Sequence, residues 1–219
     1  MAQGYVKASE LPQVIPVFPL PGSILLARGQ LPLNVFEPRY LNMVDDAMAG
    51  DRMIGLIQPI GPAGLRPPLT RVGCAGRITS FAETSDGRYL ITLTGVCRFA
   101  VAGEMQARTP YRQVRADFLP YEADLRAPDP AEAFEREPFL AALAPYLAGR
   151  GLEIDWDTAR AAPQEALVNS LAMALPFEPP EKQALLEALT LADREAALTA
   201  LLRIEAAAPD DDEPGPAMQ

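Results

Sequence analysis

Leu31-Pro32-Leu33-Asn34-Val35-Phe36-Glu37-Pro38-Arg39-Tyr40 is where the chain changes its period. Up to Phe36 the apolar residues alternate with others, as in a short half-buried strand. Pro38 then suits the first position of a helix, where a missing N–H breaks no bond and φ is already set. Tyr40, Leu41, Val44, Ala47 and Met48 follow at spacings of three and four, and Gly50 is expected to close the helix as its C-terminal cap. The junction also carries chemistry. Glu37 sits favourably at a helix N-terminus, and Arg39 can fork onto a carboxylate or onto carbonyls. Tyr40 offers a flat body and a polar tip. Two readings follow: a structural clasp orienting the helix, or one wall of a peptide groove.

Working outward, the first half reads as β-rich. Val14 to Leu20 is apolar and β-branched but holds Pro16 and Pro19, so an edge strand or extended segment is expected. Met53 to Gln58 is a strand, and the proline- and glycine-bearing residues 59–70 a loop. Val72 to Glu83 and Tyr89 to Val101 are strand-like runs around Asp86-Gly87. That dipeptide predicts a two-residue type I′ hairpin, since both central positions need positive φ. With Ser85 opposite Arg88, Cys74 would face Phe99 and Cys97 would face Gly76, so the two thiols would be diagonal neighbours on one face. Tyr111 to Leu119 supplies a further strand.

Residues 122–206 read as helical. Phe139, Leu140, Leu143 and Leu147 form one stripe; Leu167, Leu171 and Leu175 a second; Leu185, Leu186 and Leu189 a third; Leu198, Leu201 and Leu202 a fourth. Pro163 suits the first turn of the second helix, residues 176–180 break the chain before the third, and Asp193 is the expected cap of the fourth. From about Pro209 an acidic, proline-bearing tail is expected to be disordered. The expected organisation is α+β: a flexible N-terminus (1–11), a β domain (12–121), a small helical bundle (122–206) and a disordered acidic tail (207–219).

Composition bounds the chemistry. The 219 residues, 49% hydrophobic and 22% charged, are enough to bury a core. The net charge of −10 is uneven. Residues 1–121 hold 12 Lys and Arg against 9 Asp and Glu; residues 122–219 hold 7 against 20. No histidine occurs, which excludes Ser-His-Asp triads, Cys-His pairs and HExxH zinc sites. Two cysteines cannot make a four-thiolate zinc site, so no metal and no cofactor is expected. No Gly-Lys pair exists for a phosphate loop. Lys7 and Lys182 are poor candidates for a Ser-Lys dyad, one in a loose terminus and one at the start of a polar-faced helix. Asp45 and Asp46 point about 100° apart on a helix and do not converge on one atom. The N-terminus lacks the pattern of a signal peptide, and no apolar run of about 18 residues is present. A cytoplasmic protein with reduced, buried thiols is expected, with no membrane partner.

Certain of these residues carry a family resemblance. Ile15 to Leu20 followed by Leu31 to Tyr40 resembles the N-terminal substrate-binding domain of Lon proteases. Val72-Gly73-Cys74-Ala75-Gly76-Arg77-Ile78, Asp86-Gly87-Arg88 and Gly95-Val96-Cys97-Arg98-Phe99 match that family in order and spacing, and Glu181 to Glu187 adds a weaker match in the helical part. Cys74 and Ala100 depart from the family's usual threonine and arginine. The resemblance implies a PUA-like pseudo-barrel followed by a helical bundle. It also implies recognition of exposed apolar segments in unfolded or partly folded proteins. The ATPase and peptidase motifs of full Lon enzymes are missing, so the expectation is a stand-alone, non-catalytic module. It would serve as an adaptor in protein quality control, with a protease or chaperone as a further partner. The expected peptide-binding residues are Phe36, Arg39, Tyr40, Arg98, Phe99 and Tyr111; Glu37, Pro38, Asp86 and Gly87 are expected to be structural. The alternative is an RNA-binding PUA-like protein using the arginines of the first half, disfavoured by the acidic chain.

Overall fold

The computed structural model describes residues 4–61, 66–127 and 135–207. Six strands form one mixed sheet: β1 (Val14–Pro19), β2 (Gln30–Val35), β3 (Met53–Pro59), β4 (Leu69–Glu83), β5 (Tyr89–Glu104) and β6 (Arg112–Asp117). Their order is β2-β5-β4-β3-β1-β6, and β6 also pairs with β5. That last pairing closes a barrel of β1, β3, β4, β5 and β6. The long β5 makes this possible, because its first half pairs with β2 (Leu93 opposite Leu31) and its last residues with β6 (Ala100 opposite Asp117). β1 and β3 run parallel; the other pairings are antiparallel.

Helix α1 (Pro38–Ala49) begins at Pro38, with Glu37 as its N-cap residue. Its inward line is Tyr40, Met43, Val44 and Ala47, a one-face spacing. Gly50 ends the helix by donating to the Ala47 carbonyl, but its φ of −119° is not left-handed. The left-handed residue is Arg52, at φ 59°.

Three local expectations are corrected. β1 is not an edge: it pairs with β3 on one side and β6 on the other. The Ala116 N–H bonds the Gln13 carbonyl, and ladder alternation from there leaves Pro16 at a position that donates nothing to β6. Pairing with β3 starts beyond it, at Val17. The β4–β5 turn is also longer than two residues. Gly87 N–H bonds the Thr84 carbonyl, Thr84 N–H bonds the Arg88 carbonyl, and only Gly87 (φ 79°) is left-handed. This is a three-residue loop ending in a glycine bulge. The pairing slips by one at the turn, two further irregularities in the ladder (at Ile78/Ser80 and Ala75/Gly76) cancel each other, and Cys74 faces Arg98 while Cys97 faces Ala75. The thiols are not same-face diagonal neighbours. Within the loop, Thr84 Oγ1 donates to the Asp86 carboxylate, and Arg88 Nε lies 2.9 Å from it.

Both cysteines are fully enclosed, and burial pushes both thiols up from their ordinary pKa. A thiol reagent on the native protein should therefore modify neither within minutes, and both after denaturation. One fast-reacting native thiol would contradict the packing.

Gly95 shows why β5 needs a glycine. A Cβ there would lie 2.0 Å from the Leu26 carbonyl oxygen, because residues 26–29 cross the strand and exchange bonds with it: Arg28 N–H to Gly95 O and Gly95 N–H to Gly29 O, both 2.8 Å.

The helical part contains α2 (Arg136–Gly149), α3 (Trp156–Ala161), α4 (Gln164–Ala174), α5 (Pro179–Glu187) and α6 (Leu191–Ala207). α3 was not expected; Asp155 caps it, accepting from the Asp157 and Thr158 N–H groups. Pro163 precedes α4 as its N-cap residue. At α6 the cap is Thr190, which accepts from Asp193 N–H while the Asp193 carboxylate accepts from Thr190 N–H. Leu189 is exposed although its stripe partners Leu185 and Leu186 are buried.

A buried polar seam joins barrel and helices. Arg98, 3% exposed, meets Asp124 with Nε and Nη2 both at 2.8 Å. It also donates to the carbonyls of Leu186, Ala188 and Leu189 at the C-terminal end of α5, and stacks over Tyr121 at 4.5 Å. Arg194 donates to the Leu185 and Ala188 carbonyls and to Asn169 Oδ1. Two guanidinium groups thus satisfy the carbonyl end of one helix, where its dipole is negative. Gln58 of β3 donates to the Pro179 carbonyl, and Arg28 pairs with Glu165. Lys182 is buried, and its ammonium donates to the Ala172 and Met173 carbonyls ending α4. It is therefore engaged structurally, although it does not lie on an exposed polar face. Residues 8–11 were expected in a flexible terminus, but Ala8 N–H bonds Glu122 and Leu11 is buried. Of the expected disordered tail, all but Ala207 lies outside the described residues.

Candidate functional site

One end of the barrel gathers the end of β1, the start of α1, the end of β3 and the loop from β5 into β6. A cavity of about 190 Å³ opens there. It is lined by Pro19, Pro21, Arg39, Tyr40, Pro59, Gly61, Pro67, Pro110, Tyr111 and Arg112. A second cavity, of about 270 Å³, shares Arg39, Pro110, Tyr111 and Arg112 with the first and adds Arg66, Met105, Gln106, Ala107 and Thr109. The walls are prolines and tyrosine rings, rigid apolar surfaces with little rotamer entropy to lose. Guanidinium groups stand at the rim.

The local sequence explains the placement. Pro38 starts α1 so that Arg39 and Tyr40 emerge in its first turn. Arg39 turns back onto Glu37, Nε to Oε2 at 2.9 Å, and its guanidinium lies 4.5 Å from the Tyr40 ring centre. The Tyr40 ring packs on Phe18 at 4.4 Å, and burial raises its hydroxyl pKa. Tyr111 donates its hydroxyl to Asp46 Oδ2 at 2.6 Å; burial first, and then that carboxylate, push its pKa up to about 12. Both tyrosines are therefore neutral hydrogen-bonding rings at physiological pH.

Arg112 is bidentate on Glu104, with Nε at 2.9 Å and Nη2 at 2.7 Å, and bonds the Pro67 carbonyl through Nη1. Arg66 pairs with the same carboxylate. Arg112 above all, then Arg66, hold Glu104 at a pKa of about 2. The folded value lies below the unfolded one, so this pair's contribution is complete above the ordinary carboxylate pKa. It fades only as pH falls towards 2. A carboxyl-resolved NMR titration should show Glu104 still ionised at pH 3; a midpoint near 4.5 would mean that the clamp is open.

Of the expected peptide-binding residues, the fold brings Arg39, Tyr40 and Tyr111 to one cavity. Phe36 is 61% exposed, but lies beside Arg88, whose guanidinium is 5.8 Å from its ring, and is not among the cavity's walls. Arg98 and Phe99 are corrected. Arg98 is consumed in the seam, and Phe99 is fully buried in the barrel core, edge-on to Phe118 at 6.0 Å. Neither can touch a peptide without unfolding. Pro38 opens α1 and Glu37 precedes it as the N-cap residue, making no side-chain cap bond and pairing with Arg39 instead. The reading of the sequence missed Arg112, Arg66 and the converging prolines. Proline density in residues 59–70 and the Pro110-Tyr111 pair were the only local signals. Among the described residues, no group of three or more His, Cys, Asp and Glu side chains is placed to hold a metal ion. Nor is any helix among them long and apolar enough to cross a membrane.

A family model described as the ATP-dependent protease La (LON) substrate-binding domain matches residues 14–203. A Lon protease of Syntrophus aciditrophicus is 28% identical over 129 residues, covering 56% of this chain and 16% of that protein. Lon protease 2 of Myxococcus xanthus is 28% identical over 117 residues, covering 52% and 14%. The chain thus spans only a small part of the length of these relatives. Among solved structures, a Lon N-terminal domain protein from Xanthomonas campestris superposes with a TM-score of 0.61 at 24% identity, covering 85% of this chain and 97% of that one. The N-terminal domain of a Mycobacterium avium complex Lon protease gives 0.58 at 17% identity, with 86% and 97% covered. These two likenesses bear on the fold, which is α+β as expected. With the family model covering most of the chain, from the first barrel strand to the last helix, this chain belongs to the Lon substrate-binding domain family.

Proposed function

We propose that the chain is a non-catalytic module that binds exposed apolar segments of unfolded or partly folded proteins, and that it acts as an adaptor in protein quality control beside a protease or chaperone. The observation that carries this reading is the paired cavity at the barrel end, where rigid proline and tyrosine walls meet polar groups at the rim. An apolar side chain of an extended segment fits the walls, and its backbone carbonyls find guanidinium donors. Arg39, Tyr40 and Tyr111 are the proposed contacts, with Phe36 as an exposed ring on the approach. Two free cysteines, both buried, fit a reducing compartment, and the reading places the protein in the cytoplasm.

RNA binding finds less support. Arg66, Arg88 and Arg112 are paired with carboxylates, and Arg98 is buried. The chain as a whole, at a net charge of −10, repels a phosphate backbone.

The test is fluorescence anisotropy of the full chain with a labelled, permanently unfolded protein, and with labelled single-stranded RNA in parallel. Selective binding of the unfolded protein is expected. Tyr111→Ala should weaken it about tenfold, the loss of one contact of roughly 1.4 kcal/mol. Arg39→Ala, at a half-exposed position, should weaken it without a change in denaturation midpoint. Binding of RNA alone, or unfolded-protein binding indifferent to both substitutions, would overturn the reading.

A further inference from the structure

We infer that the paired cavities select segments in which an aromatic or proline ring is followed closely by carboxylates, and discriminate against rings followed by lysine or arginine. This rests on the reading of the site as a protein-binding one and specifies its substrate class. Three arginines line the two cavities, and no aspartate or glutamate does. The nearby carboxylates, Glu37 and Glu104 on the arginines and Asp46 on the Tyr111 hydroxyl, are not among the lining residues. Those pairings also leave donors over. Arg39 uses Nε and Nη2 on Glu37, and Arg66 uses Nε and Nη2 on Glu104. Among the described residues, Nη1 of each bonds nothing. A guanidinium already held in place by one carboxylate is preorganised to accept a second, since its orientation costs no further entropy. The proline–tyrosine cavity is adjacent and shares Arg39 with the arginine-lined one, so a ring in the first sets a following carboxylate beside the second. The guanidinium groups of this rim distinguish the segment's flanks rather than its ring.

The experiment uses the full chain and three fluorescein-labelled peptides of Gly-Ser background. Each carries one Phe, followed by Asp-Asp, Gly-Gly or Lys-Lys. At low salt the Asp-Asp peptide should bind about tenfold tighter than Gly-Gly, with Lys-Lys weakest. The spread should collapse near 0.5 M NaCl, where the Debye length is only a few ångströms. Arg66→Gln should shrink the ratio of Asp-Asp to Gly-Gly affinity. Equal affinity for the three flanks, with binding weakened about tenfold in Tyr111→Ala, would overturn this inference and leave the binding role standing. Binding of none of them, with Phe replaced by Trp as well, would overturn both. A preference for Lys-Lys would reverse the charge assignment and overturn the inference alone.

Discussion

Arg98→Ala should destabilise the protein by about 3–5 kcal/mol, the usual loss when one member of a buried ion pair is removed. The substitution strands the Asp124 carboxylate, which is 8% exposed, and takes a donor from the carbonyls of Leu186, Ala188 and Leu189, of which Ala188 alone keeps a second side-chain donor, Arg194. Asp124→Ala should cost about the same, because it strands the guanidinium. Replacing both, as Arg98→Met with Asp124→Leu, should recover much of the loss, since no buried charge is then left unpaired. Urea denaturation measures all three. The seam also predicts where the damage appears: proteolysis should reach the α5–α6 connection before the barrel. If Arg98→Ala left stability unchanged but abolished peptide binding, Arg98 would belong to the site and the buried pair would not hold in solution.

Phe99→Ala should cost about 3–5 kcal/mol, the range for deleting a buried aromatic ring. The ring is fully buried, and the barrel is built around it. A Cβ at Gly73 would lie 2.7 Å from the ring and one at Gly55 3.0 Å, so β4 beside β5 and β3 beyond it both use glycine to admit it. Little side chain is available nearby to collapse into the void. Phe36→Ala is the contrast. With its ring exposed, it should change stability by no more than about 0.5 kcal/mol. Any binding defect in Phe36→Ala therefore reports on the surface, whereas one in Phe99→Ala reports on folding. Equal denaturation midpoints for the two variants would contradict the barrel packing.

These two residues mark the limit of reading function from the chain alone. Arg98 and Phe99 look like a binding pair in sequence: an arginine beside an aromatic, on a strand of a barrel. The difference between Phe36 and Phe99 is burial, and burial is set by barrel closure. The same holds for the hairpin. Asp86-Gly87 announced a turn and a left-handed glycine correctly, but loop length depends on Thr84 and Arg88 bonding each other across it. One extra residue in the loop, with two ladder irregularities that cancel beyond it, moved the partners of Cys74 and Cys97 by one.

What the sequence determined by itself is local or carried by spacing. The strand-to-helix switch at Pro38, the β-rich first half, the helical second half and the family resemblance all rest on short windows, because periodicity and proline chemistry act between near neighbours. The absence of histidine alone removed several mechanisms. The tertiary structure decided which arginines are buried, where the prolines meet, and how barrel and helices join. Arg98 finds carbonyls 88 to 91 residues away, and Arg112 finds the Pro67 carbonyl 45 residues back. Such partners leave no trace in a local pattern, since an arginine's charge reads the same whether it faces water, a carboxylate or a helix end. Only the closed barrel brings them within hydrogen-bonding reach.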